Sequence, residues 1–91
     1  NKRKVLIINM KNKKSKLVLN VELSEIFLKQ RKDIVEDLRP YYFEGQLIVT
    51  FKDKYEFTDE ELRHFGGLEE IYYKYNESKK KHEATLVFKD E

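Results

Sequence analysis

The sequence predicts an α+β protein, a five-stranded mixed sheet in ββαβαββ order with two helices packed on one face. Three observations carry this expectation. The run Leu47-Ile48-Val49-Thr50-Phe51 is apolar and β-branched, and Gly45 and Lys52 bound it as they would a buried strand. A helix-like segment stands on each side of it. A pair of strand candidates stands at each end of the chain. Two hairpins and one strand between helices close into a single sheet, and the right-handed crossover rule sends both helices to one side. The other sheet face is then open.

The first element is Val5-Leu6-Ile7-Ile8-Asn9-Met10, a strand whose two alternating sets are both apolar, as expected where each face is at least partly covered. Residues 11–16 form a polar connector. Leu17-Val18-Leu19-Asn20-Val21 is the second strand, with Leu17, Leu19 and Val21 on one face and Val18 and Asn20 on the other. The two make an antiparallel hairpin. Lysines at its tip solvate the turn and keep its end from associating.

Ser24 reads as a helix N-cap, with Glu25 in the first turn where a carboxylate meets the helix dipole. Ile26, Phe27, Ile34, Val35 and Leu38 share one side of that helix. Pro40 lacks an N–H and disfavours helical geometry at the residue before it, so the helix ends near Leu38 or Arg39. Tyr41, Tyr42 and Phe43 then seal the end of a small core.

After the central strand, Thr58-Asp59-Glu60-Glu61 matches a capping box and opens a short second helix. Leu62 and Phe65 face the core, and Gly66-Gly67 supplies a stop. Residues 68–71 either prolong this helix past a kink or open the next strand, in which Ile71, Tyr73 and Tyr75 oppose Tyr72 and Lys74. A polar loop leads into the last strand, where Ala84, Leu86 and Phe88 alternate with Thr85 and Val87.

Length and composition bound the function. Ninety-one residues, 1–91, make one domain with a modest core, and with no cysteine there is neither disulfide nor thiolate chemistry. Charged residues are 40% of the chain but nearly cancel to +2, a smaller excess than a duplex-DNA binder carries. No apolar run approaches the roughly 18 to 20 residues of a membrane span, so a soluble protein is expected, cytoplasmic if natural.

Catalytic signals are sparse. Glu61 and His64 have the i, i+3 spacing of a carboxylate–histidine metal pair, but two ligands do not make a site and Glu61 already has a capping role. His82 stands alone in a basic turn. No Gly-rich phosphate loop, serine nucleophile elbow or paired-histidine motif occurs. The expectation is no enzyme, no metal and no cofactor.

Residues 46–90, about half the chain, resemble the first part of an RNA recognition motif. Residues 58–71 look like its first helix and the entry to its second strand. Lys81-His82-Glu83-Ala84-Thr85-Leu86-Val87-Phe88 is similar to its third-strand octapeptide at the basic, small, aliphatic and aromatic positions. That family stacks bases on aromatic rings. The matching positions here hold Glu83, Thr85 and Ile48. Over the whole chain, the ββαβαββ order resembles a computationally designed α/β fold, which fits the high Lys and Glu content. The opening hairpin and helix are also similar to a β-grasp protein.

The open face is the surface with a claim to function. Val18, Ile48, Thr50, Tyr72, Thr85 and Val87 are expected there, a mixture more apolar than a solvated face needs. They define a non-enzymatic module, a designed scaffold or an interaction domain, that self-associates or receives a protein partner. The alternative is single-stranded nucleic acid, with Tyr72 stacking and Lys11, Lys13, Lys14, Lys74, Lys79, Lys80 and Lys81 near phosphates.

Overall fold

Ser15 sets the first element. Its backbone is extended and its hydroxyl accepts from the Val18 N–H at 3.2 Å, the geometry of an N-cap. Helix α1 follows at Lys16–Lys29. The computed structural model describes residues 15–90, so the expected strand at residues 5–10 lies outside the described residues. The expected strand at residues 17–21 is overturned, because this stretch is the first half of α1. Leu17-Val18-Leu19 is apolar at every position and has no period of its own, so the cap decides the conformation. Ser24, expected as a cap, is instead fully buried in mid-helix.

The expected helix also ends early, at Lys29, and Val35–Tyr41 is strand β1. A β-bulge explains the misreading. Val35 pairs with Phe51 and Asp37 with Thr50, so Glu36 is an extra residue. The inward side chains Val35 and Leu38 are therefore three apart, a helical spacing produced by a bulged strand. Pro40 fits because, among the described strands, β1 lies at the sheet edge, where a missing N–H leaves no ladder bond unmade.

A 3-10 turn, Tyr42–Glu44, and Gly45 with φ 67° carry the chain into β2, Gln46–Phe51. Gly45 adopts the left-handed backbone that side chains disfavour. Helix α2, Asp59–Leu62, is a single turn closed by a two-way capping box between Thr58 and Glu61. It ends at Leu62 with Arg63 as its C-cap, ahead of the stop expected at Gly66-Gly67, and Gly67, at φ 74°, lies at the entry to the next strand. Strands β3, Leu68–Asn76, and β4, Lys81–Phe88, complete the described chain. A second bulge, between Leu68 and Glu70, again spaces inward residues Leu68 and Ile71 by three.

The five-stranded mixed sheet in ββαβαββ order is thus replaced. Among the described residues the sheet has four strands in the order β1-β2-β4-β3, and every pairing is antiparallel. Strands β2 and β3 run in the same direction with β4 between them, a split β-α-β arrangement. The antiparallel β2–β4 pair has a local twofold normal to the sheet beside Ile48 and Thr85, which relates the two bulged hairpins to each other.

The core lies on one face. Leu47, Val49, Ala84 and Leu86 are fully buried at its centre, and α1 covers them with Val21, Ser24 and Leu28. Burial of each large apolar side chain stabilises by about 1.5–3 kcal/mol. The 52–67 segment closes the rest with rings. Phe57 meets Phe51 and Phe65 edge to face at 5.5 and 5.2 Å, and Phe65 meets Phe27 of α1 at 5.6 Å.

Candidate functional site: the open sheet face

Alternation places every second residue of each strand away from α1. The registers arrange these residues in three rows across β1, β2, β4 and β3. Asp37, Thr50, Glu83 and Lys74 form the first. Arg39, Ile48, Thr85 and Tyr72 form the second, and Tyr41, Gln46, Val87 and Glu70 the third. No described helix lies over them. The middle is partly apolar, with Ile48, Thr85 and Val87 half-buried among their neighbours and Tyr72 exposed.

Five of the six residues expected on this face, Ile48, Thr50, Tyr72, Thr85 and Val87, stand next to one another there. Val18 does not, because it belongs to α1. Asp37, Arg39 and Tyr41 were missed, having been read as helix and core corner. Their alternation with Leu38 and Pro40 was the available signal. Glu83 and Thr50 are buried at 2% and 4% exposure, and the Asn76 amide donates to the Glu83 carboxylate at 3.2 Å.

The basic residues of the nucleic-acid reading scatter. Lys11, Lys13 and Lys14 lie outside the described residues. Lys74 is on the face, whereas Lys79 and Lys80 sit in the β3–β4 turn, where the Lys79 N–H donates to Asn76 Oδ1 and Lys80 has φ 56°. Lys81 pairs with Glu36 at 3.0 Å. The Tyr72 hydroxyl donates to Glu70, and this bond raises its pKa. Carboxylates at Asp37, Glu70 and Glu83 interleave with the cations. The positions matched to the stacking rings of the RNA recognition motif, Ile48 on β2 and Glu83 and Thr85 in the β4 octapeptide, carry no ring.

The other polar clusters are internal ties. Glu61 accepts from the Tyr55 hydroxyl at 2.6 Å, from Arg31 at 2.6 Å and from the Thr58 N–H at 2.8 Å. Burial disfavours the Glu61 charge, but these three donors outweigh it and hold the pKa down at about 2. Hydrogen bonds from the guanidinium to Glu61 and Asp33 keep Arg31 firmly charged. His64, which has only the spacing of a metal partner to Glu61, stacks on Phe27 at 4.5 Å. Among the described residues no group of three or more His, Cys, Asp or Glu is placed to hold a metal. Tyr42 donates to Glu25 at 2.6 Å, which pushes its pKa up to about 12.

Two clefts, one lined by Tyr55, Tyr73, Tyr75 and His82 among others and one lined by Glu25, Leu28 and Leu38 among others, measure about 180 and 270 Å³. Ligand pockets run to about 300–1,000 Å³. On α1, Leu19, Leu23 and Ile26 are 44–54% exposed along the outer side. Among the described residues no helix is long and apolar enough to cross a membrane.

Fold and face together define an α+β protein with a four-stranded antiparallel sheet, one face of which is covered by no described helix. No family model matches the chain, and no similar curated protein or solved structure was found.

Proposed function

We propose that this chain is a non-enzymatic interaction module and that the open sheet face is its contact surface for a protein, either another copy or a different partner. The observation that carries the reading is the contiguity of Ile48, Thr85, Val87 and Tyr72 across three neighbouring strands. Apolar and aromatic groups at the centre with charges at the rim is the anatomy of a protein interface. A binding role rather than catalysis is supported by the use of Glu61, Arg31, Tyr55, Glu25 and Tyr42 in bonds to one another. Nucleic acid fits less well, because the face sets three carboxylates among its cations and a phosphate backbone is repelled by them.

Sedimentation of the purified chain and its Ile48→Lys and Val87→Lys variants tests the proposal. Either lysine places an ammonium in the apolar centre, so self-association or capture of a defined partner should fall at least about tenfold, a loss of about 1.4 kcal/mol. Unchanged mass and unchanged capture across both variants would remove this face from consideration.

A further inference from the structure

The rim of the open face carries charged side chains that form no ion pair among the described residues. Asp37 and Lys74 end the same row on opposite edge strands, three strand spacings or about 14 Å apart. They are too distant to pair within one molecule. Among the described residues neither Asp37, Lys74 nor Arg39 makes an ion pair.

Resting on the interaction-face reading, we infer that the face is built to receive a second copy of itself, the two sheets meeting about a twofold axis parallel to the strands. That axis lays β1 of one copy over β3 of the other. Asp37 then meets Lys74 of the second copy, Arg39 meets the ring of its Tyr72, and the Tyr41 hydroxyl meets its Glu70. Symmetry makes each contact twice. An ion pair, a cation–π contact and a hydrogen bond all follow from one operation. The central residues Ile48 and Thr85 face each other across the same axis.

The competing twofold, perpendicular to the strands, fits worse. It sets Glu70 against Lys74 but brings Arg39 onto Arg39 of the second copy, two like charges at the interface. The strand-parallel axis also keeps the strand directions of the two sheets aligned, as in face-to-face sheet packing.

The face spans four strands by about five residues, on the order of 300 Å² in plane. Stable interfaces bury about 800 Å² per partner. The dimer is therefore weak and reversible.

Charge reversal tests the pairing in the full chain. Asp37→Lys and Lys74→Asp should each weaken dimerisation about tenfold, and the double variant should recover to within about threefold of the original. Both positions are exposed, and far-ultraviolet circular dichroism of each variant checks that the fold is kept. Because the chain has no cysteine, Asp37→Cys and Lys74→Cys chains can be mixed and oxidised. The mixed disulfide should exceed either self-disulfide.

A chain that stays monomeric to about 1 mM overturns the inference, as does a dimer indifferent to both reversals. If such a dimer, or capture of a defined partner by a monomer, is lost with Ile48→Lys, the self-pairing is wrong and the open-face reading stands. If Leu23→Lys on α1 alone dissolves the dimer, both fail.

Discussion

Ser24 is the residue at which local chemistry and tertiary packing disagree most. Serine favours caps, and here it lies fully buried on the core side of α1 with its hydroxyl unpartnered. An unpaired buried hydroxyl costs about 1–3 kcal/mol, and serine is a poorer helix former than alanine. Ser24→Ala should therefore stabilise the chain by about 1 kcal/mol, read as a rise in the urea midpoint at unchanged slope. A loss of stability would mean that the hydroxyl has a partner. Sequence alone suggested a cap at Ser24 because the residue type is right and acidic residues surround it. Burial, which depends on where the sheet lies, decides otherwise.

At the scale of elements, α2 is a single turn and could not persist alone, since a short helix does not repay its nucleation. Glu61 holds it by tying the capping box to Tyr55 and to Arg31 just beyond α1. The Glu61 pKa is lowered in the fold from 4.5 to about 2. Its contribution is thus fully present above pH 4.5 and is lost as pH falls towards 2. Glu61→Gln should lower stability at pH 7 and flatten the acid side of the stability profile between those limits, as measured by urea unfolding across pH. A profile as steep as that of the original chain would assign the acid loss to other carboxylates. This capping box was legible in four consecutive residues. So were β2, β4 and most of β3, where alternation survives. The two bulges erased it at residues 35–38 and 68–71, because an extra residue turns a spacing of two into three. Leu17-Val18-Leu19, apolar at every position, carries no period to read.

The open face was legible for β2, β3 and β4 and lost for β1, which a helix was expected to occupy. With β1 in place, both edges of the sheet formed by the described residues are guarded. One carries Pro40 and a bulge, and the other a bulge with Glu69 and Glu70. Such edges resist further strands, which directs association to the face rather than to the rim. The split arrangement has a consequence for synthesis. Strand β4 is made after β1, β2 and β3, yet among the described strands it alone links the β1–β2 pair to β3. Until residues 81–88 leave the ribosome, Leu47 and Val49 have a bare strand edge beside them and β3 has no neighbour. A chain ending at residue 80 should show no cooperative thermal transition by circular dichroism, whereas the full chain should show one. Retention of a sharp transition would mean that α1 and the first hairpin form a folding unit by themselves. Otherwise the nascent chain waits, with its apolar centre exposed to whatever binds such surfaces in the cell, for its final described strand to arrive.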